Sequence, residues 1–150
     1  MFSKACEYAI RAVLYIAIKS VDGSRLGIKE IAKEIDSPEP FTAKILQTLS
    51  REGIISSAKG PNGGFYLDPN AKPIPLADIV TAIDKGDILH SCVLGLKACS
   101  DEFPCPIHSD IKAYKGRLRE VMNKKTVQQL AKDLERGDVF LKNQKGKSRR

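Results

Sequence analysis

The stretch Ile28-Lys29-Glu30-Ile31-Ala32-Lys33-Glu34-Ile35-Asp36-Ser37-Pro38-Glu39-Pro40-Phe41-Thr42-Ala43-Lys44-Ile45-Leu46-Gln47-Thr48-Leu49-Ser50-Arg51-Glu52-Gly53 decides the fold. Ile28, Ile31, Ala32 and Ile35 recur at helical spacing and predict a short amphipathic helix. Asp36-Ser37-Pro38 stops it. Ser37 followed by Pro38 also opens a new helix, with a capping hydroxyl and then a ring whose fixed φ suits the first turn. That second helix is expected to run to about Glu52 and to end at Gly53, with Phe41, Ile45, Leu46 and Leu49 facing inward.

Downstream, Ile54, Ile55 and Ser56 start a strand, Lys59-Gly60-Pro61-Asn62-Gly63-Gly64 turns, and Phe65-Tyr66-Leu67 returns. Two short helices and a hairpin make a winged helix-turn-helix pattern. Its second helix is thick enough to fill a DNA major groove, with its first turns at the base edges. Removing the inward face leaves Glu39, Thr42, Ala43, Lys44, Gln47, Thr48 and Arg51 pointing outward. Glu39, Thr42 and Ala43 are candidates for base contact, and the other four for bases or phosphates. In the hairpin, Lys59 with Gly60, Pro61, Asn62, Gly63 and Gly64 lets backbone approach phosphates or the minor groove. The same pattern also occurs in plain protein-interaction domains. Residues 1–70 carry nine cations against eight acids, so tight binding would need a dimer and base contacts.

Working outward, Ala5 to Lys19 reads as a helix that is apolar almost all round and so buried by several neighbours. Pro75 to Asp84 reads as another helix. Gly86 to Pro106 is polar and irregular. A helix then runs from Pro106 to about Asn123, and a shorter one from Thr126 to Glu135. Ile107, Ile111, Tyr114, Leu118 and Val121 recur at 4, 3, 4 and 3. That is a coiled-coil seam, expected either to pair two chains or to pack on its own domain. The expectation is a mainly α fold with a small β-hairpin: a winged helix-turn-helix domain plus a long dimerisation helix. Its parts are a DNA-binding domain over 1–84, a cysteine-rich loop over 85–106, the dimerisation helix and a following short helix over 107–135, and a basic flexible tail over 136–150.

The chain has 150 residues and a net charge of +7, and five of those charges are Lys142, Lys145, Lys147, Arg149 and Arg150. Hydrophobic residues at 42% and charged residues at 29% exclude a wholly disordered chain. No apolar run reaches the ~18 residues of a membrane span. The stretch Ala9 to Ile18 is broken by Arg11 and has no small-residue cleavage site, so a cytoplasmic chain with no membrane partner is expected. There is no glycine-rich nucleotide loop and no paired-carboxylate constellation, which argues against an enzyme. A thiol enzyme using Cys99 or Cys105 with His108 as base is the weaker alternative.

Cys92, six residues, Cys99, five residues, Cys105, two residues, His108 is the chain's other signal. Three thiolates and an imidazole in one loop suit a soft metal centre, an iron–sulfur cluster or zinc. The spacing lacks the close pairs of common zinc folds. Free thiols, a regulatory disulfide and structural zinc remain open. Cys6, on the apolar helix, reads as a small buried hydrophobe.

Together these residues resemble the IscR/NsrR/RirA-type iron–sulfur transcription regulators, the Rrf-two family. The resemblance runs over about 1–135 and rests on Tyr8-Ala9-Ile10-Arg11-Ala12-Val13, on the wing from Lys59 to Leu67, on Leu76 to Asp84, and on Cys92, Cys99 and Cys105. It implies a homodimeric regulator of a palindromic operator in double-stranded DNA. It also implies a 2Fe-2S or 4Fe-4S cluster on Cys92, Cys99 and Cys105, absent after preparation in air. His108 is implied as fourth ligand, or alternatively Glu7 from the partner subunit; the alternative function is that of a cluster-free member sensing through thiol oxidation or a partner protein, or with a structural zinc site. Two departures from the family pattern stand out: six residues rather than five in the first cysteine interval, and Lys59 where arginine is frequent.

Overall fold

The computed structural model describes residues 2–85 and 87–142. In chain order the helices are α1 (Lys4–Lys19), α2 (Ile28–Ile35), α3 (Glu39–Arg51), α4 (Leu76–Asp84), α5 (Asp87–His90), α6 (His108–Lys124) and α7 (Val127–Glu135). Strands β1 (Ser56–Ala58) and β2 (Gly64–Tyr66) lie between α3 and α4. The fold is mainly α with a winged helix-turn-helix, as the sequence predicts.

Helix α1 starts at Ser3, whose hydroxyl oxygen accepts the Cys6 N–H at 3.0 Å. The Ser3 N–H and O–H in turn donate to the Asp84 carboxylate at the end of α4. Cys6, Ala9, Ala12, Val13, Leu14 and Ile16 are buried, and α2, α3, α4 and α7 all pack on α1. At its other end Ser20 is buried and bonded twice: its hydroxyl donates to the Ile16 carbonyl at 2.6 Å and accepts the Leu67 N–H at 3.0 Å. One side chain thus closes the helix and pins the returning limb of the wing.

The α2 boundaries match the hydrophobic spacing, and Asp36 in the left-handed conformation ends it. Helix α3 begins one residue later than expected. Pro38, not Ser37, is the cap residue, and Pro40 sits in the first turn, where no backbone N–H is needed. The inward face also shifts. Thr42, expected to reach bases, is fully buried, and its hydroxyl donates to the Pro38 carbonyl at 3.0 Å. That bond satisfies the hydroxyl and lets Thr42 join Ile45, Leu46 and Leu49 in the core. Phe41, expected to face inward, is part-exposed instead, edge-on to Tyr8 with ring centroids 5.7 Å apart.

Ile54 and Ile55 do not start the strand. The Ile54 N–H returns to the Leu49 carbonyl at 3.0 Å, and Gly53 adopts φ +75° to end α3. β1 and β2 pair antiparallel, with Ser57 opposite Phe65. Leu26 adds a third limb on the far side of β2, exchanging two 2.8 Å backbone bonds with Phe65. Gly64 makes this possible. It sits at φ +146°, and a Cβ there would lie 2.6 Å from the Leu26 carbonyl oxygen.

After α6 the chain turns back. The Leu76 N–H donates to the Lys125 carbonyl and the Val127 N–H to the Ile74 carbonyl, tying the start of α4 to the start of α7. Thr126 and Gln129 form a reciprocal cap for α7. The segment 136–142, expected to be flexible tail, is held on the domain: Leu141 packs against the core and Lys142 pairs with Glu34 at 3.0 Å. The rest of that tail, 143–150, lies outside the described residues, as does Gly86.

Gly64→Ala is expected to cost more than about 1 kcal/mol, because it combines a strained φ with a backbone clash. Gly27→Ala, where an added Cβ meets nothing within 4 Å, should be near neutral. Urea unfolding midpoints compare the two. Thr42→Ala should cost about 1–2 kcal/mol through the broken hydrogen bond and the reduced methyl burial, and should leave sequence preference in DNA selection unchanged. A changed preference at unchanged stability would restore Thr42 as a reader.

Candidate nucleic-acid interface and thiol loop

The outward residues of α3 are Glu39, Lys44, Gln47 and Arg51, all exposed, with Ala43 and Thr48 half-buried. Thr48 donates to the Lys44 carbonyl at 3.1 Å, and the Arg51 guanidinium lies 3.5 Å from the Thr48 hydroxyl. Ser50 and Ser57 are joined at 3.0 Å, so α3 and the wing hold a fixed relation. At the wing tip Lys59, Gly60, Pro61 and Asn62 are exposed. The Gly63 N–H closes the turn onto the Gly60 carbonyl at 2.9 Å, and a Cβ on Gly63 would lie 2.3 Å from the Ala58 carbonyl oxygen.

Two cations on this face escaped the sequence reading. Arg25 donates to the Asn62 carbonyl at 3.3 Å and stacks over Tyr66 at 5.6 Å, bracing the wing. Lys29 lines a concavity of about 550 Å³ with Glu39, Pro40 and Ala43, between the start of α2 and the first turn of α3. Neither belongs to a periodic pattern, so spacing carried no signal for them.

The region read as polar and irregular holds the short helix α5 and a set of exposed apolar side chains, Val93, Leu94, Leu96 and Phe103, the last 78% exposed. Its base is gripped from α6. Lys115, buried, donates to the Ser91 carbonyl, and Arg119 donates to the Leu89 carbonyl at 2.7 Å. Cys92 then opens a turn in which the Gly95 N–H bonds back to the Cys92 carbonyl at 3.0 Å and Gly95 takes φ +73°. The Leu96 and Leu94 N–H groups hold the Cys92 thiol below its ordinary range, helped by Cys105 and by the Lys115 charge.

Cys105 is close enough to Cys92 to act on its thiol. Cys99 lies beside His108, with its sulfur 3.4 Å from Nδ1. The loop brings its four candidate donors together as two pairs. Among the described residues no three such donors converge on one point as a single ion would require. His108 is only 8% exposed, and its other ring nitrogen, Nε2, lies 2.7 Å from Asp101 Oδ1. Lys112 Nζ is 2.7 Å from both Asp101 oxygens. Lys112, and then His108, hold the Asp101 carboxyl below its usual range. Neither Asp101 nor Lys112 was legible as part of the site.

Glu7 pairs with Lys4 at 3.2 Å and is not grouped with the thiols within the described residues. Cys6 is fully buried, and its thiol is pushed up to about 12 by burial and then by Asp84. It is a core side chain, as its helix suggests.

Helix α6 faces its own domain through His108, Lys115 and Met122. The predicted seam is a different stripe. Ile111 and Leu118 are half-buried, and Ile107, Tyr114 and Val121 are exposed, Tyr114 at 51%. Among the described residues no helix is long and apolar enough to cross a membrane.

The family model described as an iron-dependent transcriptional regulator, Rrf2, matches residues 2–133. A chain of Aquifex aeolicus (strain VF5), provisionally named an HTH-type transcriptional regulator, is 30% identical over 132 residues, 87% of this chain and 90% of its own length. The HTH-type transcriptional regulator IscR of Pectobacterium atrosepticum is 24% identical over 129 residues, 86% of this chain and 77% of its own. The structure of CymR, the global cysteine regulator of B. subtilis, superposes with a TM-score of 0.71 at 24% identity, over 89% of this chain and 97% of that one. At that identity it speaks for the fold alone. A winged helix-turn-helix with exposed α3 and wing, matched along nearly its whole length, makes this chain a member of the Rrf2 family of DNA-binding transcriptional regulators, which are not enzymes.

Proposed function

We propose that the chain is a homodimeric, cytoplasmic regulator whose grip on a palindromic operator depends on an iron–sulfur cluster held by Cys92, Cys99, Cys105 and His108. The observation that carries this reading is the pairing of Cys92 with Cys105 and of Cys99 with His108 at the start of α6. Three thiols and an imidazole are a soft donor set that fits iron–sulfur ligation. The spacing lacks the close Cys-x-x-Cys pairs of common zinc folds, and a longer loop wraps a bulky cluster more readily than a single ion. The family's iron dependence points the same way.

A bound cluster would supply iron centres that both donor pairs could ligate, and that iron scarcity, oxygen or nitric oxide would remove. The protein's part is mechanical. Lys115 and Arg119 hold the base of the loop on α6, while Cys105 and His108 join its end to the start of the same helix. The exposed stripe of Ile107, Tyr114 and Val121, continued by the apolar loop residues, supports pairing with a second copy. A change in the loop thus alters how two α3 helices are spaced, and an effect of about 10- to 100-fold on operator affinity needs only ~1.4–2.8 kcal/mol of coupling.

The adjacency of Cys92 and Cys105, with the Cys92 thiol lowered, favours one second reading: a cluster-free regulator that senses oxidants through a disulfide.

Cys92→Ala, Cys99→Ala and Cys105→Ala, purified without air, should each lose most iron and sulfide per chain together with the visible sulfur-to-iron absorbance. Full retention in all three overturns the ligand set. On a duplex selected from a randomised pool, reconstituted and stripped wild type should differ in affinity about 10-fold or more. Equal affinity overturns cluster control, and an affinity that follows thiol oxidation instead favours the second reading. Lys59→Ala and Arg51→Ala should each flatten the salt dependence, by about 0.9 in slope for every phosphate the side chain neutralises. Unchanged slopes place those side chains away from phosphates.

A further inference from the structure

We propose that Asp101 is a positioning residue that fixes His108 as its Nε2–H tautomer and so presents the unprotonated Nδ1 to Cys99. Only the extension to a metal cluster rests on the function proposed above.

For a neutral ring the geometry favours one assignment of protons. His108 begins α6 and is almost wholly buried, so its ring cannot turn freely. Asp101 Oδ1 lies 2.7 Å from Nε2. Lys112, one turn further along α6, donates to both Asp101 oxygens, leaving them as acceptors toward the ring. An ionised carboxylate only accepts, so the proton of a neutral ring belongs on Nε2. Nδ1 is then an open lone pair, and the group it faces, 3.4 Å away, is the Cys99 sulfur.

Asp101 itself is positioned by the loop. Ser100 accepts the N–H groups of Glu102 and Phe103 at 3.2 Å each, turning the chain so that the carboxylate returns to α6. A metal-bound imidazole is ordinarily oriented through its second nitrogen by a carboxylate, a backbone carbonyl or a water, and Asp101 offers a carboxylate at that position. Asp101 also spans His108 and Lys112, so it fastens the loop to the helix through two groups at once.

The experiment uses the full chain, stripped of metal and ring-labelled with nitrogen-15, at a pH where imidazole is neutral. His90→Gln serves as background, removing the other histidine. His108 should show its proton mainly on Nε2. Asp101→Ala should shift it toward a mixture of tautomers, and Asp101→Asn, which keeps a carbonyl acceptor, should restore most of the original pattern. A proton on Nδ1 in the parent, or no change in Asp101→Ala, overturns the proposal. In reconstituted protein, Asp101→Ala should release iron to a chelator about 10-fold faster, with Asp101→Asn close to the parent. Equal release overturns the extension to the cluster. Failure of the parent to take up iron and sulfide overturns the proposed function and leaves the tautomer result standing.

Discussion

Helix α1 carries apolar side chains round nearly its whole circumference, and hiding them from water dictates where everything else goes. Cys6, Ala9, Ala12, Val13 and Ile16 are fully buried, which takes α2 and α3 on one side and α4 and α7 on the others. Each large aliphatic side chain so buried contributes roughly 1.5–3 kcal/mol. Helices α2 and α3 and the helix leading to the thiol loop, α4, therefore share one packed partner. Polar groups at its two ends do the fastening. Ser3 reaches Asp84 beside the loop, and Ser20 reaches Leu67 beside the wing.

Much of this was legible because it depends on local spacing. The α2 boundaries, the glycine-rich turn of the wing and the extents of α4 and α7 follow from periodicity and glycine placement. What failed had no signature in the hydrophobic spacing. Thr42 reads as polar and outward, and only the Pro38 carbonyl four residues back makes it a core residue. Phe41 reads as core, yet it is part-exposed, with its ring edge-on to Tyr8. Leu26 joins the wing across 39 residues of sequence, a pairing no local pattern announces.

The thiol loop divides in the same way. Its residues were visible from composition and spacing, and their pairing was not. Which sulfur meets which partner depends on Lys115 and Arg119 capturing backbone carbonyls at the loop base and on Asp101 and Ser100 shaping its tip. None of those four belongs to the cysteine pattern. A buried lysine serving a carbonyl rather than a carboxylate has no sequence signature, although it sits at heptad distance from His108 and Met122 on the inner face of α6.

That helix is held to its own domain at both extremities, by the His108 and Lys115 contacts at one end and by the Lys125–Leu76 bond at the other. A rod of 17 residues is ~26 Å long. Swinging it ~10° about one extremity displaces the other by ~4–5 Å, more than the ~3.4 Å rise of a base pair. A tilt of this helix is therefore a displacement on the scale at which a double helix is read.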